Sequence, residues 1–224
     1  MTFALLGRRP RFRSSVSTLT ALCALSTLLT LSTSGCSSDS PQNGPGCNLE
    51  APAEAGAPGD SCSVVPTTVT GLAQTHIPAC STFNYPDNPP AGGPHYPIWA
   101  AYKSYTFPVP RGFWVHDLEH GAVVFSYNCC ASSAGCADEV ARVQALIDAM
   151  PEDPTCSAPV SRRVVLTPDP LLDVRWGVSA WGFTLRADCV DEQLFREFYL
   201  NHYGHGPEDL CGDGTDFGGT PPCQ

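Results

Sequence analysis

Histidine and cysteine are the residues of this 224-residue chain with the most chemistry to offer: six of the first and twelve of the second. Four histidines, His76, His95, His116 and His120, precede the midpoint of the folded part, and two of them stand in the sharpest local pattern, Val115-His116-Asp117-Leu118-Glu119-His120-Gly121. On a helical turn, residues four apart face the same way. His116 and His120 would then present two imidazoles to one point, as a tetrahedral or square-planar metal requires. Gly121 would end the turn, while Asp117 and Glu119 would orient the imidazoles from behind or supply a ligand or general base. A second pattern is Tyr85 to Tyr96, YPDNPPAGGPHY. Its prolines fix φ and its glycines permit close backbone approach, so the loop can hold His95 in place at low entropic cost. His76 has no local context, and His202 and His205, in NHYGHG, read as surface residues. Spacing alone favours hydrogen-bonded histidines over ligands. HDLEH also satisfies H-x-x-E-H, the inverted zinc-peptidase pattern, with Glu192 or Glu197 as a downstream acid, although Gly121 would truncate the helix such enzymes build on.

The cysteines ask for a compartment. So many thiols need metals or redox roles in a reducing cytosol and pair with one another in an oxidising space. The N-terminus chooses the second. Arg8, Arg9, Arg11 and Arg13 precede an uncharged apolar stretch, Val16 to Leu31, which predicts a signal peptide over residues 1–35. Thr33-Ser34-Gly35-Cys36 follows and resembles a bacterial lipobox, with Thr33 where an aliphatic residue is usual. Cleavage before Cys36 would leave a lipid on that residue and attach the chain to a membrane of the cell envelope, on the periplasmic side or in the outer membrane. Without the lipid it would be secreted. Loss of the four arginines takes the formal charge from −10 to −14. With Lys103 the one lysine, the chain lacks the clustered cations that phosphate neutralisation needs, and no nucleic-acid partner is expected. No protein partner is indicated. Ten cysteines remain, Cys47, Cys62, Cys80, Cys129, Cys130, Cys136, Cys156, Cys189, Cys211 and Cys223, an even number that predicts five disulfides. Adjacent Cys129 and Cys130 should go to different partners, because a vicinal bridge is strained.

The elements that must position these side chains follow. Residues 36–61 are small, polar and Pro/Gly-rich, a flexible tether, and 62–224 read as one domain with a Gly/Pro-rich C-terminal tail. Pro78 to Pro110 reads as an extended, ordered loop. Ala122–Tyr127, Arg163–Thr167 and Trp176–Arg186, the last interrupted by Gly177 and Gly182, read as strands. Ala137–Met150 and Val190–Leu200 carry helical periodicity, with Asp188 as a cap of the second. The order β-α-β-β-α predicts an α+β fold, a small mixed sheet with helices on one face, loop-rich and disulfide-stabilised.

The pair PPAGGPHYPIWA and VHDLEHGAVVFSY, some twenty residues apart, resembles the exported bacterial family called domain of unknown function 3105. The matching positions are His76, Tyr85, Pro89, Pro90, Gly93, Pro94, His95, Tyr96, His116, Leu118, Glu119, His120 and Gly121. Ala91-Gly92 and Ser104 depart from the family pattern in the loop backbone, away from the histidines. The resemblance implies that the four histidines form one constellation, and with it the metal reading leads: His76, His95, His116 and His120 as ligands of one transition-metal ion, with Glu119, Asp117 and Tyr85 supporting them. Imidazoles suit zinc and copper. With only Met1 and Met150 present, a methionine-rich copper(I) carrier is disfavoured, which leaves copper(II) or zinc, copper first for an exported protein with Tyr85, Tyr96 and Trp114 around the motif. The alternatives are a disulfide-stabilised envelope interaction module without metal and the zinc hydrolase above.

Overall fold

A computed structural model describes residues 62–129, 134–220 and 222–223. The signal peptide, Cys36, the tether, Cys47 and Cys130 lie outside the described residues. The elements are β1 (Val64–Thr68), α1 (Arg111–Glu119), β2 (Val123–Tyr127), α2 (Ala134–Asp148), β3 (Val164–Pro168), β4 (Trp176–Ala180), β5 (Phe183–Ala187) and α3 (Glu192–His202). The five strands form one mixed sheet in the order β1-β5-β4-β2-β3. Only β2 and β3 run parallel, and α2 is the crossover that a parallel pair demands.

The β-branched and aromatic run of β2 places it near the centre, where both faces are covered. Val123 and Phe125 point to one side with Val164, Leu166, Trp176 and Val178, and there α2 and α3 contribute Val143, Ile147, Phe195, Phe198 and Tyr199. These are the two helices read from periodicity, and they share a face as expected. Val124 and Val165 point to the other side, under α1 and the proline-rich segment, with Tyr96, Tyr105, Phe113, Trp114, Val115 and Leu118. The third helix therefore lies opposite the other two. From Gly112 onward every residue of α1 is buried, since it is wedged between sheet and loop rather than laid on a surface.

Two expectations need correction, and one strand was not expected. Trp176–Arg186 is not one interrupted strand but the hairpin β4–β5, closed at Trp181-Gly182 with Gly182 at φ 82°. The cap of α3 is Asp191, whose carboxylate accepts from the Leu194 amide at 3.0 Å, not Asp188. Strand β1 carried no signal because it is mostly exposed and contains Pro66, a residue an edge strand tolerates. The outer edge of β3 is covered by the loop, through Tyr105 N–H to the Leu166 carbonyl at 2.8 Å.

Disulfides join Cys62 to Cys189, Cys80 to Cys223, Cys129 to Cys136 and Cys156 to Cys211. Cys129 thus avoids its neighbour, as expected. The first bridge pins β1 to the end of β5, and two of the others tie down the C-terminal tail, which returns to pair Thr215 with Ala100. No helix among the described residues is long and apolar enough to cross a membrane.

Loop and helix are locked at Tyr96, whose N–H donates to the Gly112 carbonyl at 2.9 Å and whose ring covers Gly112 so closely that a Cβ there would lie 2.6 Å from it. The ring is also held by Phe113 at 4.8 Å and by its hydroxyl, which donates to the Ser81 carbonyl at 2.8 Å, so Gly112→Ala should cost about 1–3 kcal/mol in a urea titration with the disulfides intact. A cost near zero would show that Tyr96 is free to move.

Candidate metal centre

The end of α1 supplies three donors on one face, because positions i, i+3 and i+4 of a helix are neighbours: His116, Glu119 and His120. The helix stops where the sequence indicated. His120 is the C-cap and Gly121 follows at φ 83°. The Gly121 amide bonds the Leu118 carbonyl at 2.9 Å and the Ala122 amide bonds that of Asp117 at 2.9 Å, the pairing of a Schellman end. The proline-rich loop brings His95 from the other side, and its turn requires Gly92 and Gly93, at φ 139° and 113°. Tyr85 braces this turn, its hydroxyl donating to the Pro94 carbonyl at 2.7 Å. His76 joins by a short parallel bridge to His95, with Ile77 N–H on the His95 carbonyl at 2.7 Å.

Ligand atoms of His76, His95, His116 and Glu119 lie within 4.8 Å of one another. The orientation of two of the rings is set by backbone carbonyls. His95 Nδ1 is 2.8 Å from the Gly93 carbonyl and His116 Nδ1 is 2.6 Å from that of Tyr96. A carbonyl can only accept, so both Nδ1 atoms carry the proton, and in the neutral ring each Nε2 is left with a lone pair. His95 Nε2 lies 2.9 Å from Glu119 Oε2, an ion-pair distance out of line for a full hydrogen bond. His120 adjoins the group, its Nε2 3.1 Å from His116 Nε2 and 3.2 Å from Glu208 Oε2, while its buried Nδ1 has no partner.

Electrostatics suits ligation. Burial, helped by the imidazoles of His120, His95 and His76 and opposed by the Tyr96 carbonyl, holds His116 down at about 4. Burial also lowers His120, against the pull of Glu208. Both are neutral near pH 7, the form that binds metals. Burial raises the Glu119 carboxyl above its ordinary range, with Glu208 adding and His95 opposing, so a cation beside it would relieve an unfavourable charge. His120 is anchored from behind by Arg163, a buried guanidinium that donates to the His120 carbonyl at 2.6 Å, to Asp209 at 2.6 Å and to Asp153 at 2.8 Å. Burial alone would raise Asp153, but hydrogen bonds from Thr155, Tyr203 and Arg163 outweigh it and hold that carboxyl at about 2.

The family model described as "Protein of unknown function (DUF3105)" matches residues 76–213, a span that opens on His76 and contains every donor named above. The chain belongs to this family. Neither the curated proteins nor the solved structures give a match. In this DUF3105 protein three of the four histidines, His76, His95 and His116, come together with Glu119, which stands among the donor atoms rather than behind them, while His120 adjoins the group through His116. Asp117 does not take part. It lies on another side of α1, both carboxylate oxygens buried, and burial, opposed by the Ala100 amide, pushes its carboxyl well above the ordinary range. The aromatic wall also differs from expectation. Trp114 is in the core and Tyr96 contributes its carbonyl, while the rings beside the imidazoles are Trp99, 4.6 Å from His120 and 5.2 Å from His116, and Trp181, 6.3 Å from His95. Neither tryptophan carried a signal in the sequence, and nor did Glu208. Glu192 and Glu197 sit exposed on α3, which packs on the opposite face, Glu192 paired with Arg142, so neither serves as the third ligand of an H-x-x-E-H site. His202 stacks on Phe183 at 4.0 Å, away from the cluster.

A buried neutral imidazole makes stability depend on pH. Between 6.5 and about 4 the unfolded chain protonates its histidines while folded His116 stays neutral, so the unfolded state binds more protons and stability falls as pH falls. The metal-free protein should show this loss in its urea midpoint, and His116→Asn should remove that part of the slope. An identical slope in the variant would mean that His116 is readily protonated in the folded state.

Proposed function

We propose that this chain is an exported, lipid-anchored envelope protein that binds one transition-metal ion through His76, His95, His116 and Glu119, with His120 beside them. The observation that carries the reading is the convergence of Nε2 lone pairs and a buried carboxylate. A packing role for the histidines would leave them hydrogen-bonded, yet the buried His95 Nε2, which faces Glu119, has no hydrogen-bond partner. The donor set, imidazole nitrogens and one carboxylate, suits copper(II) or zinc. Met150 is the one methionine among the described residues, and it packs in the core on the far face, so no thioether supports copper(I). Export and the lipid on Cys36 rest on the N-terminal pattern, and the disulfides are compatible with an oxidising compartment.

The reading is tested by elemental analysis of the exported protein, disulfides formed, purified without a His-tag or chelator. Close to one copper or zinc per chain is expected, falling to under about a tenth in His116→Ala, since loss of a ligand costs more than the ten- to hundredfold of a supporting contact. Unchanged metal in His116→Ala, or none taken up by the wild type from added copper or zinc, would overturn it.

A further inference from the structure

The run of donors does not stop at α1. Glu208, from the C-terminal tail, reaches His120 Nε2 at 3.2 Å although its side chain is half exposed and free to extend into water. Its backbone is fixed on every side. The Glu208 amide donates to the Glu119 carbonyl at 3.0 Å, and the Gly204 amide to that of Gly121 at 2.8 Å. Gly206 lies so close that a Cβ would stand 2.2 Å from the Gly121 nitrogen. Arg163 grips His120 and Asp209 together, and Cys156–Cys211 closes the segment on the body of the domain. Residues 204–211 are thus a strap, built to bring a second carboxylate to a cluster that already holds Glu119. Two acids converging on neutral imidazoles repel each other unless a cation lies between them.

The separations point the same way. Around an ion with bonds of about 2.1 Å, neighbouring donors stand about 3.0 Å apart in an octahedron and about 3.4 Å in a tetrahedron. The contacts His95–Glu119 and His116–His120, at 2.9 and 3.1 Å, are nearer the first, and His120–Glu208, at 3.2 Å, lies between the two.

We propose that Glu208 is a metal ligand presented by the C-terminal strap, that the ion draws it and His120 in to join the four mutually close donors, and that the strap must lift before the ion exchanges. This rests on the metal reading above and deepens it. A shell filled by protein donors leaves no position for a substrate, so with the strap down the centre holds its ion rather than acting on a third molecule.

The probe is Co2+, whose visible absorption is weak in six-coordinate and strong in four-coordinate sites. It is loaded into the exported, disulfide-bonded protein, with melting curves as the check on folding. Glu208→Ala removes an exposed side chain and should melt with the wild type. It should bind Co2+ about tenfold or more weakly, absorb more strongly and lose the ion faster to excess chelator. The Cys156→Ser/Cys211→Ser pair should speed release while leaving the absorption unchanged, because the donors are intact and only the strap is freed. A wild type that binds Co2+, with Glu208→Ala matching it in affinity, absorption and release, would overturn the strap ligand and leave the four-donor reading standing. A wild type that binds neither Co2+ nor copper nor zinc would overturn both.

Discussion

An imidazole offers a lone pair inward from one nitrogen when the other keeps its proton and donates it to something fixed, and in this chain those fixed points are the carbonyls of Gly93 and Tyr96. Much else serves to keep the two carbonyls in place. The prolines of the 78–110 segment stiffen the approach, Tyr85 clamps the turn at Pro94, and Tyr96 is held against Gly112 at the start of the helix that carries His116. The sheet contributes indirectly. Val124 and Val165 form the floor on which α1 and the loop are pressed together, so that a donor from the loop and donors from the helix meet with no element dedicated to joining them.

What the sequence revealed was what short-range spacing encodes. His116 and His120 lie four apart and Gly121 ends the helix, so their common face and the helix end could be read directly, as could the strands with β-branched runs and the two periodic helices. The same spacing rule places Glu119, three residues from His116, with the histidines, and Asp117, about 100° around the helix, away from them. The prior that carboxylates support imidazoles from behind concealed this. Glu208, Trp99 and Trp181 were beyond reach for another reason. Each arrives by a long-range return of the chain, Glu208 from a glycine-rich tail whose path is set by backbone bonds to Glu119 and Gly121 that no local pattern announces. The missed strand β1 and the misread hairpin β4–β5 fail alike: pairing partners decide them, not composition.

The centre also explains a charge arrangement that would otherwise be costly. Glu119 is buried with its carboxyl raised, His116 and His120 are buried and lowered, and the one guanidinium close by, Arg163, is engaged by Asp153, Asp209 and the His120 carbonyl. The arginine therefore fixes the geometry without supplying the positive charge that Glu119 lacks. A raised, buried carboxyl beside two imidazoles held neutral is short of positive charge, and that shortage is the ground on which a divalent cation is proposed.

The disulfides address a weakness of this design. The donors come from loop, helix end and tail, which are segments with little regular hydrogen bonding, whereas precise sites are usually mounted on rigid elements. Cross-links spanning 127 and 143 residues each remove about 5 kcal/mol of chain entropy from the unfolded state in the loop-closure model. That is comparable with the whole net stability of an ordinary domain, about 5–15 kcal/mol. Such stabilisation acts mainly on the unfolded chain, so it adds nothing to the packing around the donors. It lets the folded state keep buried imidazoles with unsatisfied nitrogens and a fully buried Asp117 carboxyl, groups that a domain resting on its hydrophobic core alone would be under pressure to lose.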